Sequence, residues 1–418
     1  MHSWSRPSVP DLPGTGPVPR IRDDRSGELV ASAGPGSGST EESTARLYVC
    51  GITPYDAAHL GHVATYLAFD VLQRAWLDAG LSVRYVQNVT DVDDPLLERA
   101  AQTGRDWREL ASTELDSYRR DMQRLRVLPP DELVGVVESM DLSIDLVARL
   151  VKAGATYSVE DDLYFPVKTA PGFGAIHGLT PPDLLAMFTE RGGDPDREGK
   201  RDPLDALVWR AERPGEPAWK SPFGRGRPGW HVECSAIALA CLGPDFDVQG
   251  GGSDLVFPHH EMSKAQAEVV LAAEHKTPVF ARCYSHQAMV RLDGVKMSKS
   301  LGNMVFVDQL RQRGEETAAI RLSVLAHHYD DEWDFTDEGM AEGARRLDAW
   351  RSAADARVDA VELAAVRAAL ADDLDTPTAL AVLDARAGQG GPADTNGATL
   401  ADVADALFGV DIRATAED

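Results

Sequence analysis

Cysteine is scarce, with four residues in 418, which excludes a disulfide-stapled secreted scaffold and fits a reducing cytoplasm. No apolar run approaches the roughly 20 residues that span a bilayer. Nothing at the start of the chain reads as a secretory segment, so a cytoplasmic protein off the membrane is expected. Positive charge is also in deficit: 42 Lys and Arg stand against 67 Asp and Glu, a formal net charge of −25. A protein that grips a long polyanion shows a basic face. Global acidity leaves room for a local basic patch, but from residue 331 onward 20 Asp and Glu meet 7 Arg and no Lys, a tail that would repel an RNA backbone. The length allows a large core and two or three domains.

What the chain does have is concentrated in residues 48 to 62, Tyr-Val-Cys-Gly-Ile-Thr-Pro-Tyr-Asp-Ala-Ala-His-Leu-Gly-His, where a β-prone run gives way to an apolar helical pattern from Leu60 to Ala75. The first β-α turn of a parallel sheet lies at the carboxyl edge, where helix N-terminal amides favour phosphate. His59 and His62 fall at that helix start and can donate to a phosphate as its charge shifts. A pair of His there can equally be caps or packing groups, so the pair alone decides nothing. Far downstream, residues 294 to 303 read Gly-Val-Lys-Met-Ser-Lys-Ser-Leu-Gly-Asn. Lys296 and Lys299 are two mobile point charges suited to a polyphosphate, although a lysine pair in a Gly/Ser loop is most often just solvated. A Gly-rich run at 193 to 200 has the wrong spacing for a phosphate loop, and Arg201 stands where a Ser or Thr is needed.

Coarse periodicity gives the organisation. Residues 1 to 45 are rich in Pro, Gly, Ser and charge and read as an N-terminal extension, mobile from about 22 to 44 and docked near Trp4. Residues 46 to 130 carry the first half of a nucleotide-binding sheet, with a strand over 83 to 89 ending in Asn88-Val89-Thr90-Asp91. A helical pattern runs from 106 to 154, and a hairpin follows over 157 to 167. Residues 227 to 336 rebuild the sheet through Phe246-Asp247-Val248, the Gly250-Gly251-Gly252 run, a helix after His259 and a strand over 282 to 290. Residues 337 to 418 read as a small helical domain with a Gly/Pro loop at 387 to 398. The glycines at 250 to 252 suggest close approach to an adenosine or sugar.

His-Leu-Gly-His early and Lys-Met-Ser-Lys-Ser late, in that order and with a catalytic domain's length between them, resemble the paired signatures of class I aminoacyl-tRNA synthetases. Cys50-Gly51-Ile52-Thr53, Asn88-Val89-Thr90-Asp91-Val92-Asp93-Asp94, Pro228-Gly229-Trp230-His231-Val232-Glu233-Cys234 and the run from Gly250 through His259-His260-Glu261 resemble the cysteine branch, over roughly residues 46 to 336. Within that branch Trp4 with its Pro-rich surroundings, Ile52-Thr53-Pro54-Tyr55, Pro95-Leu96-Leu97-Glu98-Arg99, Glu190-Arg191-Gly192-Gly193-Asp194-Pro195 and the short stretch after Asn303 resemble the cysteine ligases of mycothiol biosynthesis. The implied fold is α/β, a Rossmann-like parallel sheet with an inserted connective region over residues 131 to 226 and a small C-terminal helical domain. The implied activity is ATP-dependent ligation of L-cysteine to the amine of glucosaminyl-inositol through a cysteinyl-adenylate. The alternative is a cysteinyl-tRNA synthetase with a shortened C-terminal part. The implied partners are small molecules, with no tRNA and no membrane, acting on a monomer.

The same resemblance assigns residues. His59, His62, Lys296 and Lys299 would stabilise the phosphates of ATP, which arrives with Mg2+. Thr53, Asn88, Val89, Thr90 and Trp230 would hold the cysteinyl part and Gly252, Ser253 and Asp254 the adenosine, while Cys50, Gly51 and Ile52 would also contact substrate or adenylate, with Thr65 and Val290 as further adenylate contacts. Cys50, Cys234 and His259 would bind one Zn2+ and leave a position open, as working rather than structural zinc sites do. Without the resemblance the two thiols would read as ordinary buried cysteines, since no compact Cys-x-x-Cys is present. In cysteinyl-tRNA synthetase a carboxylate four residues after the His supplies a fourth ligand; here that position is Ser263. An open zinc distinguishes cysteine from serine because a soft thiolate binds it and an alcohol does not.

Overall fold

The computed structural model describes residues 1–34, 44–297, 301–389 and 397–414. Five strands, Thr44–Val49 (β1), Ser82–Val89 (β2), Glu132–Gly135 (β3), Phe246–Gly252 (β4) and Ala281–Gln287 (β5), form one sheet in the order β5-β4-β1-β2-β3. Every neighbouring pair is parallel. Parallel pairing requires crossovers, and helices supply them: Leu60–Asp78 (α1) returns β1 to β2, and Glu261–Ala273 (α3) returns β4 to β5. Trp230–Cys241 (α2) leads into β4. The strand order reverses between β1 and β4, with β2 and β3 added on one side and β5 on the other, so the carboxyl ends of these two parallel strands open a crevice of the kind in which α/β sheets bind ligands.

The expected α/β architecture is present, and the structure refines it in three places. Residues 132–135, read as the start of the insertion, are the edge strand β3 of the main sheet, paired through Val86↔Glu132 to Val89↔Gly135. Four residues after Pro129-Pro130 are too few to show alternation. The helical pattern over 106 to 154 is accordingly two helices, Trp107–Arg124 and Met140–Lys152. The insertion proper carries a four-stranded antiparallel sheet, and the predicted hairpin is there, with Tyr157 opposite Tyr164.

The third refinement concerns the N-terminus. Residues 22 to 31, read as mobile, lie largely in an antiparallel hairpin, Arg20–Asp23 with Glu28–Ala31, turning at Gly27 where φ is +75°. The hairpin covers the exposed edge of β5: Asp24 N–H donates to the Tyr284 carbonyl at 2.9 Å and Tyr284 N–H to Asp23 Oδ1 at 3.0 Å. Buried Ser32 accepts from Trp76 Nε1 at 2.8 Å. These polar contacts carry no hydrophobic pattern, which is why composition suggested disorder. Trp4 is docked as expected, its indole donating to the Val127 carbonyl at 2.7 Å and packing edge-on to Tyr118. The Gly/Ser run after Gly34 and the loop at 390–396 lie outside the described residues.

Helix α1 is buried nearly all round, because the sheet covers one side and the helices Thr317–Leu325 and Leu400–Phe408 cover the other. A charge network closes that second contact. Asp70, 0 % exposed, accepts from Arg74 Nε at 2.7 Å, from Arg321, and from Leu128 N–H at 2.7 Å. Arg74 donates onward to the Asp405 carbonyl at 2.7 Å and the Arg126 carbonyl at 2.8 Å, while Arg321 reaches the Leu125 carbonyl at 2.7 Å and the Phe408 carbonyl. One carboxylate thus ties the first half of the sheet to the C-terminal helices. Burial alone would raise the Asp70 carboxyl, but the Arg321 and Arg74 charges outweigh it and hold it below its ordinary value. Asp70→Asn leaves two buried guanidiniums without their counter-charge, so the urea midpoint should fall by the equivalent of about 3–5 kcal/mol. Because the folded carboxyl is depressed, its contribution is present above the ordinary carboxylate range and is lost as pH falls through the folded value. The gap between wild type and Asp70→Asn should therefore narrow in acid, and a gap independent of pH would contradict the network.

Candidate active site

The crevice between β1 and β4 is built from chain ends that deliver side chains to one place. Cys50 follows β1 and is pinned by its own N–H to the Gly250 carbonyl at 3.0 Å. Gly51 runs so close to β2 that a Cβ would stand 1.7 Å from the Asn88 carbonyl oxygen. Only glycine fits there. Asn88, 1 % exposed, accepts from Gly51 N–H at 2.9 Å and Tyr48 OH at 3.2 Å and donates to Thr90 Oγ1 at 3.1 Å. The structure therefore gives Asn88 the task of shaping the Cys50-Gly51 turn. Val89 and Thr90 are buried with it, Ile52 is buried, and Thr53 is half-buried at the crevice.

Cys234 sits in α2, and His259 in the wide turn before α3. The two sulfurs lie 3.8 Å apart, His259 Nε2 is 3.2 Å from Cys234 Sγ, and the donor atoms of Cys50, Cys234 and His259 all lie within 4.8 Å of one another. All three are buried. Two thiols and an imidazole at this spacing can hold a metal ion. Ser263 stands outside the group: its hydroxyl donates to the His231 carbonyl at 3.1 Å. His259 is oriented from behind by His231, with the two Nδ1 atoms 3.1 Å apart, and Trp230 stacks on its ring at 4.3 Å and 22°. Burial pushes the Cys50 thiol up. At Cys234 the burial penalty is outweighed by the hydrogen bond from Cys50 and by His259, which hold that sulfur low.

The two imidazoles of the first turn belong to the same crevice, where the Asp254 carboxylate acts on both His59 and the Cys50 thiol. His59 caps α1, Nδ1 accepting from Gly61 N–H at 3.1 Å, and stacks on His62 with ring centroids 3.9 Å apart. Burial, and secondarily the neighbouring His62, lowers His59 to about 3, and burial lowers His62 to about 4. Both are neutral donors near pH 7. His62 Nδ1 is buried without a protein partner. Asp254 and Lys296 are near enough to act on His59 electrostatically. Lys296 lies on the short strand Val295–Lys296, its Nζ 3.8 Å from Glu190 Oε1. Lys299 lies outside the described residues.

Of the three glycines ending β4, two serve packing. A Cβ on Gly250 would meet the Phe69 ring at 2.4 Å, and one on Gly251 would meet His260 at 2.9 Å. Only Gly252 faces the crevice, near Asp254 Oδ1 and Thr65 Oγ1, with Ser253 following in a tight turn. Val290 is in the core, paired with Trp333. Sequence reasoning missed His231, His260 and His286, which line the back of the cage. Two of them stood inside quoted motifs, but a motif does not say which imidazole ligates and which supports.

A sequence model described as the class I (C) tRNA synthetase catalytic domain matches residues 37–345. Proteins named L-cysteine:1D-myo-inositol 2-amino-2-deoxy-alpha-D-glucopyranoside ligase are similar along the chain: that of Kribbella flavida is 54% identical, covering 98% of this chain and 100% of the relative, and that of Streptosporangium roseum 55%, covering 99% and 100%. The protein of that name from Thermobifida fusca is 56% identical, covering 92% and 91%. Among solved structures, Mycobacterium tuberculosis methionyl-tRNA synthetase with methionyl-adenylate superposes with a TM-score of 0.59 at 17% identity, covering 88% of each chain. Agrobacterium radiobacter leucyl-tRNA synthetase gives 0.59 at 12%, covering 90% of this chain and 84% of its own. These two likenesses concern the fold alone. With the class I synthetase fold, the donor cage at its nucleotide edge and this near full-length similarity together, the chain belongs to the L-cysteine:1D-myo-inositol 2-amino-2-deoxy-alpha-D-glucopyranoside ligase family.

Proposed function

We propose that this chain joins L-cysteine to the amine of glucosaminyl-inositol at the expense of ATP. A cysteine carboxylate oxygen attacks the α-phosphorus and pyrophosphate leaves. The acceptor amine then attacks the cysteinyl carbonyl, forming the amide, and AMP leaves with the bonding pair of the mixed anhydride. The observation that carries this reading is the Cys50, Cys234, His259 group, with donor atoms within 4.8 Å of one another, at the sheet edge where α1 begins with the stacked His59 and His62.

The donor set fits Zn2+. A tetrahedral ion with metal–sulfur bonds of about 2.3 Å separates two sulfurs by about 3.8 Å, and Cys50 and Cys234 stand 3.8 Å apart. Bound there, zinc would supply a soft Lewis acid with a position free for the substrate's sulfur, and so selectivity for cysteine over serine. His231 and Trp230 hold the His259 ring with Nε2 toward the cage. Thr53 and Trp230 flank the amino-acid end, and Gly252, Ser253, Asp254 and Thr65 the adenosine.

His59 and His62, neutral and half-buried, donate N–H to phosphate oxygens without first losing a hydration shell of their own. Lys296 and Lys299 add positive charge on the β and γ side, and Mg2+ travels with ATP. Small-molecule acceptors suit a tail whose arginines are already engaged: Arg346 with Asp384, Arg351 with Glu316, and Arg367 with Asp78. Action as a monomer in the cytoplasm, without tRNA, completes the reading. Four free cysteines suit that compartment, and among the described residues no helix is long and apolar enough to cross a membrane.

Two tests follow. With cysteine, the enzyme should catalyse ATP-pyrophosphate exchange, form amide when glucosaminyl-inositol is supplied, and leave tRNA uncharged above background. Cysteinyl-tRNA as the main product would overturn the acceptor assignment, and absence of exchange would overturn adenylation. His59→Asn and His62→Asn should each slow exchange about 100-fold while leaving metal content unchanged. A loss of metal in step with activity would move these imidazoles from phosphate chemistry to cage support.

A further inference from the structure

We infer that Asp24, on the N-terminal hairpin, is a positioning residue for the Cys50 side of the cage. This rests on the reading that the cage holds a metal. Asp24 Oδ2 lies 2.5 Å from His286 Nδ1, His286 Nε2 lies 2.6 Å from His260 Nδ1, and His260 Nε2 lies 3.1 Å from Cys50 Sγ. A line of side chains thus runs from the hairpin, across the end of β5 and the start of α3, to one donor sulfur. Both imidazoles are buried and every ring nitrogen of the two is committed.

Such a line needs one member that fixes its geometry. An imidazole can flip its ring and exchange its two nitrogens between donor and acceptor roles. An ionised carboxylate can only accept, so Asp24 requires a hydrogen on His286 Nδ1 and keeps that ring edge turned outward. His286 Nε2 is thereby left facing His260, and the His260 ring is held with Nε2 against Cys50. Groups at this remove orient metal ligands and tune their basicity, and losing one weakens metal binding about 10- to 100-fold. The other sulfur is supported independently, through His259 and His231.

The hairpin does not depend on this carboxylate for its place. The Asp24 backbone N–H still reaches the Tyr284 carbonyl, Asp23 still accepts from Tyr284 N–H, Arg22 pairs with Asp330 at 2.7 Å and Arg25 pairs with Glu261. Removing the Asp24 side chain therefore tests the contact with His286 rather than the docking of the hairpin.

The test uses the full chain loaded with Co2+ as wild type, Asp24→Ala, Asp24→Asn and Ser26→Ala. Ser26 bonds Asp23 within the same turn at 2.8 Å and does not touch His286. Chelator competition should show Asp24→Ala releasing metal about 10-fold more readily than wild type, with a shifted thiolate-to-cobalt charge-transfer band. Asp24→Asn, which keeps an accepting oxygen, should recover part of both changes, and Ser26→Ala should match wild type. Equal affinity and an unchanged band in Asp24→Ala would overturn the inference, as would an equal shift in Ser26→Ala. Failure of wild type to take up any metal would instead remove the reading on which the inference stands.

Discussion

Three donor atoms drawn from distant parts of the chain lie within 4.8 Å of one another, close enough to hold a metal ion, and the rest of the molecule is arranged to bring them there. Cys50 and Cys234 are 184 residues apart, and His259 follows Cys234 by 25. No local motif could bring them together. The parallel sheet does so, because its strands deliver their carboxyl ends to a single edge and the reversal of strand order between β1 and β4 opens a crevice there. The close approach of Gly51 to β2 and the bond from Cys50 N–H to Gly250 fix one sulfur in that crevice, and the first turns of α2 supply the other.

A parallel sheet is stable only when both faces are covered, and on one face the covering includes the C-terminal helices. The acidic tail is thus part of the catalytic unit's core. Asp70, Arg74 and Arg321 join α1 to the loops around 125 to 128 and the segment from 405 to 408, so displacing those helices would expose the face of α1 turned away from the sheet. The tail's few arginines are spent on internal carboxylates, which explains how a segment so rich in Asp and Glu packs against the body of the protein without a basic surface.

Much of the candidate site was legible in the sequence because it lies in short polar motifs near strand and helix ends: Cys50 follows β1, His59 and His62 open α1, Cys234 is in the second turn of α2 and His259 precedes α3. The helical spacing of α1 and the alternation of the hairpin over 157 to 165 were strong enough to read directly. What escaped was held by tertiary polar contacts. The hairpin at 20 to 31 has too little apolar pattern to register, and its place depends on backbone bonds to Tyr284. Strand β3 is too short for its period to appear. The glycines at 250 and 251 looked like ligand contacts, yet Phe69 and His260 occupy the space beside them. The line from Asp24 through His286 and His260 joins three segments that only the fold places side by side.

The central claim is that an incomplete cage grips cysteine by its sulfur, and X-ray absorption at the zinc edge tests it most directly. The isolated protein should hold one zinc bound by two sulfurs and one imidazole nitrogen, and addition of cysteine should raise the sulfur count to three. A protein without zinc, or one whose sulfur count stays at two with cysteine saturating, would contradict the account.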